Sequence, residues 1–359
     1  MNDRTSVLRT LVPQIRELIV SARRTVVHTV NTLQVATNYE IGRLIIEHEQ
    51  KGAERARYGE SLLRELSASL TKEFGKGFSL SNLKYMRRFY LFYRNRTHQI
   101  GQTVSGQLAK SLKSQAVSGK LEHPLLLSWS HYVFLLSLEN PDERNFYEIE
   151  ATAQGWSLRE LKRQFASSLY ERLALSRDKD EVLKLSTKGQ IVDRPRDLLK
   201  NPYVLEFLGL DEKATYSETD LETAIIDKLE HFLLELGKGF LFEARQKRFA
   251  FDEEHFFVDL VFYNRLLRCY VLIDLKIGKL IHHDLGQMQM YVNYFDRHVK
   301  AQDENSTIGI LLCHSKNDAL VELTLPEDAQ IYASEYQLYL PSKEELKRKL
   351  MAWAEEADA

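Results

Sequence analysis

Cysteine is scarce: only Cys269 and Cys313 occur, and they form no CxxC pair. Each sits in an apolar run, so zinc ribbons and disulfide frameworks are not expected, and a reducing compartment fits. There is no excess of one charge either, because 49 Lys and Arg stand against 51 Asp and Glu, a formal net charge of -2. That balance does not announce a nucleic-acid binder, so any such role must rest on local charge. No apolar run approaches the ~20 residues of a membrane span. The opening stretch, MNDRTSVLRTLVPQIRELIV, lacks the uninterrupted apolar core of a signal peptide. The expectation is a cytoplasmic protein without membrane contact. A Gly-rich phosphate loop after a strand is missing, as is a GxSxG element, so NTP use and serine-hydrolase chemistry have no support. Repeats and low-complexity tracts are also missing.

What remains is a chain of 359 residues, 44% hydrophobic and 28% charged, which suits two domains with real cores. The first half reads as helical. Between residues 6 and 50, Leu11, Ile15, Leu18, Ile19, Ala22 and Val26 recur at three and four residues. A second helix spans about 59 to 74, and Gly75-Lys76-Gly77-Phe78 breaks it. Ser79 or Ser81 then caps a third helix, SNLKYMRRFYLFYRN. Helix, short turn and capped helix is a helix-turn-helix outline. The polar stretch 97–123 reads as a loop or wing. Further helices are expected at 129–138, 141–153 and 157–175. The domain assignment is a helical, winged-helix-like domain over 1–186, a connector over 187–200, and a second domain over 201–359.

The second domain reads as α/β. A helix at 221–236 is followed by strand-like runs at 239–249, 256–263, 269–276 and 307–313, with a helix at 284–295. A last strand is expected at 336–340 and a terminal helix at 343–353. The pattern indicates a short mixed sheet flanked by helices.

Two of these strands carry charge where apolar residues are expected. Side chains alternate along CYVLIDLK, so Asp274 and Lys276 share one face while Val271, Ile273 and Leu275 fill the core. In FFVDLVFY, Asp259 interrupts an otherwise apolar run. Charges are almost never buried without a partner. A divalent cation between the carboxylates would supply one, since Mg²⁺ takes oxygen ligands and keeps several waters. Lys276 beside it would orient a water or offset charge on a phosphate. The same spacing also admits an ion pair at a strand end, with Asp259 opening a turn.

An acid on one strand followed by D-L-K on the next resembles the core of the PD-(D/E)xK nuclease superfamily. The wider stretch FYNRLLRCYVLIDLKIGKLIHHDLGQMQMYVNYF resembles the bacterial YhcG-like nucleases, as do GWSLRELKRQFASSLYERL and NPYVLEFLGL. That resemblance covers nearly the whole chain. It implies a restriction-endonuclease-like domain behind a helical N-terminal domain, with Asp259 and Asp274 holding Mg²⁺ or Mn²⁺ and Lys276 as the catalytic lysine. Val258 stands where the superfamily name has proline. The superfamily's glutamate on the helix before the sheet matches Glu222 as a third metal ligand, although Thr219 and Glu222 also read as a capping box. The Gln-x-x-x-Tyr motif of some branches matches Gln287 and Tyr291, four apart on one helix face. His282 and His283 are adjacent at a helix start, which suits capping or phosphate contact better than chelation.

The third helix supplies local charge. Lys84, Arg87, Arg88, Arg94 and Arg96 stand there without an acidic residue, interleaved with Phe89, Tyr90, Phe92 and Tyr93. Lys84, Arg87 and Arg88 fall on one face and suit phosphates or base edges in a major groove. A solvated basic face over a helical core is the plainer alternative. The expectation is a Mg²⁺- or Mn²⁺-dependent enzyme that cleaves DNA. A nucleic-acid-binding protein with a silent nuclease fold, or an RNA-directed or partner-dependent nuclease in a larger defence or restriction assembly, is the alternative. Duplex cleavage needs two cuts, which a homodimer would supply.

Overall fold

A computed structural model describes residues 31–49, 56–94, 125–177, 179–210, 216–251, 253–326 and 328–356. The chain divides into two compact units, residues 1–144 with 151–158, and residues 145–150 with 159–359.

In the first unit, helix α1 covers residues 31–49. Helix α2 is Ala56–Phe74 and α3 is Leu80–Tyr93. Gly77 joins them with φ at 117°, a backbone conformation that other residues rarely adopt. Of the two candidate caps for α3, Ser79 is the one used, and its side chain accepts from the Asn82 N–H. Phe89 is fully buried against the rings of Tyr39, Tyr93, Trp129 and Tyr132. Helices α4 (Trp129–Leu135) and α5 (Pro141–Gln154) follow, residues 145–150 of α5 grouping with the second unit. Pro141 occupies the first turn, where its missing N–H costs nothing, and Gly155 ends the helix in the left-handed region. The expected wing at 97–123 and the segment before residue 31 lie outside the described residues.

The second unit opens with helices α6 (Leu158–Ala166), α7 (Leu169–Ala174) and α8 (Lys179–Lys188). The single helix expected at 157–175 breaks at Ser168, whose φ is 53°. Residues 159–186, which the sequence assigns to the helical domain, group with the sheet by contact. The Arg172 guanidinium explains this. It is fully buried and pairs with buried Glu235 at 2.5 Å. It also donates to the Ser167 and Pro202 carbonyls. Lys200, also buried, donates to the Glu235 carbonyl. Burying such charges is tolerable only with partners in place, and these segments supply them to one another.

The sheet has six strands: β1 (Tyr203–Val204), β2 (Phe240–Phe251), β3 (Glu254–Asn264), β4 (Cys269–Lys279), β5 (Ile308–Ser315) and β6 (Ile331–Gln337). Their order is β1-β6-β5-β4-β3-β2. Strands β2, β3 and β4 pair antiparallel, whereas β4, β5, β6 and β1 pair parallel. The final strand therefore lies at Ile331–Gln337, not at 336–340, because Ile331 to Glu335 pair with β5. The expected helix at 221–236 is two, α9 (Glu218–Asp227) and α10 (Leu229–Leu236). Leu221, Ile225, Phe232 and Leu236 cover one sheet face over Leu260, Ile273, Leu275 and Ile310. On the other face α11 (His282–His298) packs Leu285, Met288, Tyr291, Val292 and Phe295 over Val261, Leu272 and Leu311. The approach is close at Gly309, where a Cβ would meet Met288 Cγ at 2.6 Å. Helices α12 (Asp318–Thr324) and α13 (Lys343–Glu356) complete the unit.

Candidate active site

The pairing of β3 with β4 runs from Asn264↔Cys269 to Leu260↔Ile273. Beyond that pair the Leu275 N–H donates to Asp259 Oδ2 at 2.9 Å. A carboxylate thus takes the place of a backbone carbonyl between the strands. Asp259 and Asp274 come together at this point, and Lys276 Nζ lies 2.9 Å from Asp274 Oδ2. The three residues that strand alternation singles out therefore form one cluster.

Its electrostatics are unusual. Asp274 is 3% exposed. Burial, then the charge of Asp259, pushes its carboxyl up to about 7, against the pull of Lys276. Burial draws the Lys276 ammonium down, but Asp274, Glu218 and Asp284 outweigh it, and the net direction is up. Glu218, at the start of α9, lies 3.9 Å from Lys276 Nζ. Two carboxylates that repel beside a firmly protonated lysine are a store of like-charge strain that a cation would relieve.

The expected capping box of Thr219 and Glu222 is not what starts α9. Ser217 and Asp220 cap it reciprocally. Both pairs fit the same spacing, and the one two residues earlier wins. Glu222 is thereby left to other partners and is buried. Its Oε1 accepts from Arg245 Nε at 2.5 Å and its Oε2 from Gln246 Nε2 at 2.7 Å. The same Gln246 nitrogen reaches Asp259 Oδ1 at 3.0 Å. Glu222 is linked to the acidic pair through one amide. Among the described residues, no three of His, Cys, Asp and Glu converge as a ready ligand set.

On α11, Gln287 Nε2 donates to the Tyr291 hydroxyl at 2.6 Å, as their spacing suggests. Burial, then the charge of Asp274, pushes the Tyr291 phenol up to about 12, so it stays neutral. His282 and His283 are exposed, and Asp284 caps the helix by accepting from the Ile281 N–H. Sequence reasoning passed over Glu218, Arg245 and Gln246. Only their polarity on elements bordering Asp259 could have flagged them.

In the first unit, Lys84, Arg88 and Arg94 are exposed. Arg87 pairs with Glu49 of α1 at 2.7 Å, and Arg88 lies over the Phe92 ring at 5.1 Å. Arg96 lies outside the described residues. The two thiols are buried, and burial pushes each up to about 12. No described helix is long and apolar enough to cross a membrane.

Residues 196–351 match the family described as the YhcG PDDEXK nuclease domain. Residues 14–172 match the DUF1016 N-terminal domain. The chain is 42% identical over 347 residues to "Putative nuclease YhcG" of Escherichia coli (strain K12), across 93% of this chain and 91% of that protein. Two solved structures are more distant. A repair endonuclease from Pyrococcus abyssi is 19% identical and an EndoMS–dsDNA complex 18%. Each alignment covers 37% of this chain and 50% of the other, with a TM-score of 0.24, a likeness too slight to argue from. Identity across nearly the full length of both proteins, with the two domain matches in the same order, decides the matter: the chain belongs to the YhcG family, in which a DUF1016 N-terminal domain precedes a PDDEXK nuclease domain.

Proposed function

We propose that the protein is a divalent-metal-dependent nuclease that hydrolyses phosphodiester bonds in DNA and reaches it through its N-terminal unit. The observation that carries this reading is the meeting of Asp259, Asp274 and Lys276 where Leu275 turns its N–H to a carboxylate. The donors fit a hard cation. They are all oxygens, two carboxylates are few enough to leave room for water and substrate phosphate, and their repulsion favours a positive ion between them. Mg²⁺ or Mn²⁺ bound there would polarise a phosphoryl oxygen and lower the pKa of a bound water.

The protein's own groups then have distinct parts. Asp259 and Asp274 supply the oxygens that hold the ion. Lys276 keeps its proton near neutral pH, so it offsets charge on the phosphate and does not begin as a general base. Gln287, tied to the neutral phenol of Tyr291, offers an amide that can donate or accept at the substrate. Exposed Lys84 and Arg88 on α3 suit backbone phosphates, and the α2-turn-α3 outline suits a groove. Metal substitution tests the reading. Mg²⁺ or Mn²⁺ should support cleavage, while Ca²⁺ should permit DNA binding with little cleavage. Cleavage that persists in excess EDTA would rule the mechanism out.

A further inference from the structure

We propose that Gln246 is a positioning residue for this site, binding Glu222 and Asp259 into one unit so that Asp259 presents a fixed edge to the cation. The inference rests on the nuclease reading and adds a residue that the sequence did not suggest. One amide nitrogen lies 2.7 Å from Glu222 Oε2 and 3.0 Å from Asp259 Oδ1. An amide carries two N–H donors, so each carboxylate receives one. Glu222 is the anchored end, because it is 3% exposed and Arg245 holds its other oxygen. Asp259 is the guided end. Its Oδ2 takes the Leu275 N–H and its Oδ1 takes Gln246, so both oxygens have a set direction.

The backbone points the same way. Gln246 has φ at 46° in the middle of β2. That region is uncommon for any residue but glycine and is a disfavoured conformation. Yet Arg245 still pairs with Leu260 and Lys247 with Val258, so the strand continues on both sides of the turned Gln246. An exposed glutamine satisfied by water would need no such conformation. Turning it aims the amide at the two acids.

The test uses the full chain with Gln246→Gly and Gln246→Ala. Mn²⁺ binding is measured by calorimetry without nucleic acid, alongside melting temperature and the metal dependence of cleavage. Glycine removes the amide and suits the left-handed backbone. Gln246→Gly should therefore melt no lower than the parent and yet bind Mn²⁺ about 10-fold more weakly, the lower end of what losing a ligand's hydrogen-bond partner costs. Gln246→Ala should show the same weakening. Cleavage in both should need correspondingly more metal and recover most of its kcat at saturation. If the parent binds Mn²⁺ and Gln246→Gly binds it equally well, the positioning role is overturned and the nuclease reading stands. A parent that binds no Mn²⁺ overturns both.

Discussion

Asp274→Asn should make the metal-free protein more stable, and increasingly so as pH rises. The carboxyl has an ordinary value of 3.8 and is pushed up to about 7 in the fold. Between those two values the folded state holds a proton that the unfolded chain has released. Stability therefore falls as pH rises through this window. At ~1.36 kcal/mol per pH unit the full penalty above pH 7 is about 4 kcal/mol, and about 3 kcal/mol of it accrues between pH 5 and pH 8. Asparagine cannot ionise, so the penalty is absent from the variant. Any fixed change in packing shifts both ends of the comparison equally, and titrating groups away from Asp259, Asp274 and Lys276 cancel. The quantity to measure is the difference in unfolding free energy between Asp274→Asn and the parent, in EDTA, from pH 5 to pH 8. It should grow by about 3 kcal/mol, which at ~2–4 °C per kcal/mol for a domain of this size is about 6–12 °C in Tm. Urea titration with thermal scans reads both. Parallel pH profiles for the two proteins would show that Asp274 carries no such strain. Mn²⁺ should narrow the gap by stabilising the parent alone.

Two further outcomes follow from other parts of the molecule. Arg172→Ala leaves Glu235 charged and fully buried without its partner. It should lower unfolding free energy by about 3–5 kcal/mol in urea, and a loss under about 1 kcal/mol would refute the view of residues 159–188 as part of the nuclease body. Replacing both Lys84 and Arg88 with Ala should lower the log–log salt slope of DNA affinity by about 2, one for each phosphate contact. An unchanged slope would make α3 a solvated surface and remove the N-terminal unit from DNA binding.

The sheet and its acidic cluster were legible because strands have a strict period. Asp274 and Lys276 had to share a face, and burial of Leu275 on the other side had to aim them away from that core. The gap between β5 and the end was harder to read. IYASEYQ mixes polar and apolar residues on both faces, and only its pairing with β5 identifies it as a strand. Glu222 illustrates competition between equal signals, since Ser217–Asp220 and Thr219–Glu222 both match a capping box and only one can start the helix. The ion pair of Arg172 with Glu235 spans the sequence, and no local pattern encodes it. Gln246 was illegible for another reason. No sequence pattern marks its turned backbone, and its neighbours Arg245 and Lys247 pair as ordinary strand residues.

The proposed role of Asp259 in holding the catalytic ion is tested directly by one comparison. Purified parent and Asp259→Asn proteins are incubated with supercoiled, linear and branched DNA in Mg²⁺ or Mn²⁺, after circular dichroism and melting have shown both to be folded. The parent should cleave at least one of these substrates and the folded variant none. Cleavage by Asp259→Asn at the parent's rate, or no cleavage by either protein, would contradict the account.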